Sequence, residues 1–207
     1  MLGIIDYGVG NIFSLYSSFA SIGCPAILTS DPDKLCECDR IVLPGVGAFS
    51  DAAKKLRSRG MADAVIEQAR AGKPLLGICL GMQLLFEKSY EYGEHEGLGL
   101  VKGAVVPMEG RIPDDLQIPH IGWNALHFPE EKERDPLFKY TNEGDFVYFV
   151  HSYYADGCGD SLSAYTDYGI PITAAVSRDN VFGAQVHPEK SGRVGLGILK
   201  AFCEINV

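Results

Sequence analysis

The sequence predicts an open α/β fold: a mostly parallel sheet flanked by helices, with an antiparallel extension in its second half. Two observations predict it. Through residue 86, short apolar runs suited to strands buried on both faces alternate with stretches apolar at helical spacing. That alternation is what parallel strands joined by right-handed crossovers require. Beyond residue 86, strand-like segments follow one another at separations that suit hairpins or meanders. A chain of 207 residues fits one domain, 1–207, able to bury a full core.

Composition narrows the class. Hydrophobic content of 46% beside 22% charged residues is that of a soluble globular protein. A formal charge of −9 with no Lys/Arg-rich run argues against a nucleic-acid partner. Six cysteines are irregularly spaced and do not resemble a secreted disulfide framework, and Cys36-x-Cys38 is too close and lacks the second pair of a zinc site. The start MLGIID has no signal-peptide pattern, and no apolar run nears the roughly 18 residues that cross a bilayer. A cytoplasmic protein is expected, with no membrane association.

In chain order, residues 2–5 form a first buried strand, ended by Gly8 and Gly10, with Asn11 as N-cap of the next helix. That helix places Ile12, Leu15, Tyr16, Phe19 and Ile22 on one face, and Gly23 stops it. The GVGN turn lacks the third glycine of a dinucleotide site. Strands at 26–29 and 40–43 follow, the latter ending in Pro44-Gly45-Val46-Gly47, a loop at a strand's carboxyl end. Such loops build the ligand crevice of open α/β sheets. Residues from Ser50 to about Ala71 are helical, and 75–78 is a buried strand. Met82, Leu84, Leu85 and Phe86 continue at helical spacing; 89–99 reads as a charged loop. Strand-like pieces then fall at 101–106, 123–128, 146–150, 163–166 and 173–176, and a last helix runs from 192 to 204.

The junction at 77–81, GICLG, holds the chemistry. Gly-x-Cys-x-Gly between a buried strand and a helix is the cysteine form of a nucleophile elbow. It is expected to expose Cys79 at the carboxyl end of the sheet, where a helix's amino end favours thiolate. A lone cysteine here would read as a buried structural residue. The bracketing glycines favour catalysis, as does the stretch QVHPEKS at 185–191. A strand delivers His187 there, Pro188 fixes the turn, and Glu189 lies two residues on, within reach of the imidazole. A cysteine attacks best when a histidine takes its proton and a carboxylate holds that histidine's tautomer. Of the other histidines, His151 is the reserve base. The Val46-Gly47 loop should face Cys79, its amides joining that of Leu80 to receive an oxyanion.

With DYGVGN at 6–11, LPGVGAF at 43–49, GICLGMQLLF at 77–86, PHIGWN at 119–124, FVHSYY at 149–154 and HPEKS at 187–191, almost the whole chain resembles the class I, triad-type glutamine amidotransferases. Their fold is flavodoxin-like. Within the family the first, second and fourth motifs resemble the glutaminase subunits that serve histidine biosynthesis. Val186 stands where relatives often carry Phe. The resemblance implies a triad of Cys79, His187 and Glu189, and glutamine held by Gly45, Gly47, Gln83, Glu91, His151, Ser152 and Tyr153. Gln83 lies one helical turn beyond Cys79, on the same side. The resemblance also implies a (β/α)8-barrel cyclase partner, a heterodimer, and no metal or organic cofactor.

Asn11, Trp123 and Lys190, each in a family-like motif, are expected at that partner's interface, with a core position as the alternative for Trp123. Relatives commonly have glycine at Val46, so a β-branched residue there would resist a positive-φ peptide orientation until the partner docks. Two rival readings stand beside this one: another hydrolase with the same triad, such as a sibling amidotransferase or a γ-glutamyl hydrolase, and a catalytically silent regulatory module.

Overall fold

The computed structural model describes residues 1–205; the last two residues of the expected 1–207 domain lie outside the described residues. The order is β1 (Leu2–Ile5), α1 (Ile12–Ser21), β2 (Ala26–Thr29), α2 (Pro32–Cys36), β3 (Arg40–Leu43), α3 (Phe49–Ser58), α4 (Met61–Arg70), β4 (Leu75–Ile78) and α5 (Leu80–Leu84). There follow β5 (Phe86–Ser89), β6 (His95–Glu96), β7 (Val101–Pro107), β8 (His120–Ala125), β9 (Phe146–His151), β10 (Tyr153–Asp156), β11 (Leu162–Asp167), β12 (Pro171–Arg178), β13 (Val181–Ala184) and α6 (Gly192–Glu204). Among the described residues no helix is long and apolar enough to cross a membrane.

The central sheet runs β11-β12-β13-β4-β3-β1-β2. Its β2-β1-β3-β4-β13 half is parallel, in the flavodoxin order, while β11 and β12 add antiparallel strands beyond β13. Alternation along the short strands splits the core in two. Ile5, Leu43 and Leu75 face one side, where they meet Phe49, Leu80 and Phe86. Ile4, Val42 and Leu76 face the other, against Phe19, Phe182 and Phe202. Each such fully buried side chain contributes roughly 1.5–3 kcal/mol of burial free energy, so both faces of the parallel strands are anchored.

Most expected elements are present, but the strand expected at 123–128 is β8 at 120–125, β10 has no counterpart among the expected strands, and further departures follow. The helix after Cys79 is shorter than its apolar spacing suggests: Phe86 starts a strand, because Gly97 and Leu98 dock beside it. The Leu98 amide donates to the Leu84 carbonyl at 2.8 Å, and a Cβ on Gly97 would sit 2.0 Å from the Phe86 carbonyl oxygen. Part of 89–99 is accordingly paired strand, not loop. The extension includes two further sheets, β10-β7-β5-β6, in which β5 and β7 run parallel and the other pairs antiparallel, and the antiparallel β8-β9. Helix α2 was not expected, although Asp31 caps it through the Asp33 amide and Pro32 begins it. Finally, Cys24 and Cys203, 179 residues apart, form a disulfide between the end of α1 and α6, so the irregular cysteine spacing concealed a long-range pair.

Candidate active site

Cys79 sits where β4 turns into α5, at φ 53° and ψ −113°, a strained backbone for a residue with a side chain. Glycines stand two residues to either side because nothing larger fits. A Cβ on Gly81 would lie 1.8 Å from the Leu43 carbonyl oxygen, and one on Gly77 would lie 2.6 Å from that of Gly81. The Cys79 amide donates to the Ala184 carbonyl at 2.7 Å, tying the elbow to the strand that brings the histidine. Cys79 is buried, not exposed as the sequence suggested; it is reached through a cavity.

His187 follows β13 and opens a 3₁₀ turn at Pro188–Lys190. The turn is clamped at its root. The His187 amide donates to the Tyr148 carbonyl at 3.0 Å, and the Ser191 hydroxyl donates to the His187 carbonyl at 2.7 Å while accepting from the Tyr148 amide at 2.9 Å. Nδ1 of His187 lies 2.9 Å from Oε1 of Glu189, with both side chains buried. Burial disfavours the imidazolium, but hydrogen bonds to Cys79 and Glu189 outweigh it and raise the His187 pKa to about 10. Nδ1–H donates to the carboxylate, leaving Nε2 for the sulfur.

Asn11 occupies the N-cap position of α1 but does not cap it; its Nδ2 donates to the same Glu189 oxygen at 3.4 Å. The sequence placed Asn11 at an interface, and the structure gives its side chain this second contact with the carboxylate.

A cavity of about 290 Å³ opens over Cys79 and His187. Of the residues expected around glutamine, Gly47, Gln83, Glu91, His151, Ser152 and Tyr153 line it, as do Val46 and Leu80 from the expected oxyanion set. Gly45 does not. It lies beneath the loop, where a Cβ would meet the Gly81 amide at 2.7 Å, so its smallness serves packing. Tyr92, Pro119 and Val150 also line the cavity, unanticipated. Tyr92 had no readable signal, being a loop tyrosine 86% exposed and edge-on to Tyr153.

Two expected contacts are partly engaged elsewhere. Oε2 of Glu91 accepts from the Phe49 amide at the start of α3, which leaves one carboxylate oxygen for a ligand. Gln83 donates from Nε2 to the Tyr153 carbonyl at 3.1 Å and to Oε1 of Gln185 at 3.0 Å. His151 is not a reserve base. Its Nδ1 donates to the Tyr153 carbonyl at 2.9 Å, its Nε2 meets Nδ1 of His120 at 3.3 Å, and burial lowers its pKa to about 3.

In the expected oxyanion loop the left-handed residue is Gly47, at φ 89°, and Val46 does not take positive φ. Tyr7 donates to the Pro44 carbonyl at 2.8 Å, holding the root of that loop. Trp123 is 52% exposed and edge-on to Tyr148, so it is not core. Lys190 lies 5.5 Å from the centre of the Tyr148 ring, next to the triad turn.

A thiol, an imidazolium and a carboxylate in succession, under a cavity with a charged and an amide contact, suit acyl transfer from a small polar substrate. The class I glutamine amidotransferase family model matches residues 3–204. The chain belongs to this family. The amidotransferase is 49% identical over 212 residues to the imidazole glycerol phosphate synthase subunit HisH of Wolinella succinogenes, covering 99% of this chain and 100% of that one. It is 50% identical to HisH of Sulfurimonas denitrificans over 98% of this chain and 97% of that one. In fold it is similar to PurLQS from Thermotoga maritima, at 21% identity and a TM-score of 0.73, over 97% of this chain and 96% of that one.

Proposed function

We propose that this chain is the glutaminase subunit of an imidazole glycerol phosphate synthase, hydrolysing glutamine and passing the ammonia to a cyclase subunit in histidine biosynthesis. Full-length identity near one half to HisH subunits supports the pathway. The observation that carries the chemistry is the Cys79–His187–Glu189 alignment at one cavity.

The Cys79 thiolate attacks the side-chain amide carbon of glutamine, and the carbonyl electron pair moves onto oxygen. Amides of Leu80 and the Val46-Gly47 turn receive that oxyanion; the Leu80 amide opens α5 and has no partner within the helix. The His187 imidazolium gives its proton to the amide nitrogen, the C–N bond breaks, and ammonia leaves behind a glutamyl thioester. Neutral His187 then takes a proton from water, hydroxide adds, and collapse releases glutamate and the thiolate. Glu189 keeps Nδ1–H fixed throughout. Gln83, the unengaged oxygen of Glu91, and the segment from Ser152 to Tyr153 hold the substrate.

The partner we propose is a (β/α)8-barrel cyclase bound as a heterodimer over the cavity mouth, in the cytoplasm. Trp123, with Tyr148 and Lys190, forms the rim it meets, and Asn11 links that rim to Glu189. One domain, 1–207, carries both the chemistry and the docking face. The deciding assay measures glutamate release by the subunit alone, with the cyclase, and with the cyclase plus its ribotide ligand. Release is expected to rise stepwise and to match product formation in the last case. Glutamine turnover indifferent to the cyclase would overturn the assignment.

A further inference from the structure

The triad leaves one buried polar side chain beside the nucleophile without a role. Gln185 is fully buried, one residue beyond β13, and its backbone amide continues the pairing with β12 through the Ala174 carbonyl at 2.8 Å. Its Nε2 lies 3.7 Å from Sγ of Cys79, within hydrogen-bond range of a sulfur acceptor.

The network identifies which end of the amide faces the sulfur. The Tyr153 carbonyl can only accept, so the Gln83 atom 3.1 Å from it is nitrogen. The second hydrogen on that nitrogen points to Gln185, whose facing atom, 3.0 Å away, is therefore oxygen. What remains to face Cys79 is the Gln185 NH2 group. A buried amide held by such a chain has one orientation: turning it over would set its NH2 group against the Gln83 NH2 group, donor against donor, and its carbonyl oxygen against the sulfur.

We infer that Gln185 is a donor to the reacting sulfur: its side-chain amide holds and stabilises the Cys79 thiolate, oriented through Gln83 by the Tyr153 carbonyl. Gln185 and His187 stand two apart across the bend that follows β13, and both reach the sulfur. The donor acts where charge resides on sulfur, before attack and when the thioester breaks, and loses its partner in the neutral thioester. Because Tyr153 and Gln83 also line the cavity, the wall that meets substrate is the wall that sets the nucleophile.

The inference builds on the glutaminase reading, but its test does not need glutamine. Iodoacetamide alkylation of Cys79, mapped by mass spectrometry, is followed for the wild type, Gln185→Met and Gln185→Glu at one pH. The near-isosteric Met variant removes the donor; the Glu variant puts a carboxylate there and covers the case in which Met disturbs folding. With melting temperatures within a few degrees of wild type, each is expected to alkylate at least tenfold more slowly. In glutamine turnover with the cyclase, kcat is expected to fall at least tenfold while KM changes less than threefold. Either folded variant alkylating at the wild-type rate overturns the inference. Rapid alkylation of wild-type Cys79 without any glutamine turnover would instead overturn the glutaminase reading and leave Gln185 to be judged on the alkylation rates alone.

Discussion

The elbow that carries Cys79 and the loop that faces it are built to opposite tolerances. At the elbow, glycine Cα atoms touch neighbouring carbonyls so closely that a single methyl group would collide, and the strained cysteine is held by backbone bonds to β13. Across the cavity, Val46 is 40% exposed and a Cβ on Gly47 would meet nothing within 4 Å. The tight side fixes the backbone that carries the proposed nucleophile. On the proposed reading, the loose side is the one to respond to a partner, since a backbone flip at Gly47 displaces little. A glutaminase that should not make ammonia without an acceptor would then be controlled at the proposed oxyanion loop and not at the sulfur.

The largest effects should follow changes on the tight side. Cys79→Ala is expected to lower glutamine-dependent synthesis by about four orders of magnitude or more, as for other covalent nucleophiles, with ammonia-dependent synthesis and partner binding kept. His187→Ala should approach the same loss and Glu189→Ala fall clearly short of it, measured as glutamate release; a wild-type rate in either of the first two would undo the triad. The two glycines sharpen the contrast directly. Gly81→Ala should cost more than about 3 kcal/mol through overpacking, or a melting temperature lower by about 6 °C or more. Gly47→Ala, strained only by its positive φ, should cost about 1 kcal/mol. Equal losses would erase the distinction.

His187 tests the electrostatics of the tight side. Its folded pKa, about 10, lies above its ordinary 6.5. Its contribution to stability is therefore fully present below about pH 6.5 and is lost as the pH rises through 10. An NMR titration of the ring should show the high midpoint, and Glu189→Gln should lower it. A midpoint near 6.5 in the wild type would mean the buried pair is not ionised. On the loose side, Val46→Gly is expected to raise partner-independent glutaminase activity, by roughly 5- to 150-fold if the productive peptide orientation strains a β-branched residue by about 1–3 kcal/mol. An unchanged rate in a folded variant would take Val46 out of the control. Trp123→Ala is expected to give about tenfold weaker cyclase binding with no loss of melting temperature, as suits a half-exposed rim anchor.

The parallel half of the fold was legible because buried strands and amphipathic helices leave periodic traces, and the elbow because glycines bracket one cysteine. What escaped had no periodicity to leave. Strands β5 and β6 are short and charged, paired because Gly97 admits close backbone contact, which no pattern encodes. Asn11 looked like a cap, since N-cap preference and a long-range contact to Glu189 select the same residue. Gln185 does leave a trace, as a lone polar residue directly after an apolar strand, two before the histidine. Trp123 was ambiguous because the sequence does not say which face of β8 is covered.

Glu189 answers to Asn11 across 178 residues, and β13 enters the sheet between β4 and β12. During synthesis the first four parallel strands can pair while Cys79 is still without its base. The histidine arrives only with the last tenth of the chain, and pairings of such sequence separation close late. With His187 as the proposed base, a partly made chain carries the thiol without the means to turn over glutamine, and activity becomes the sign that segments 178 residues apart have met.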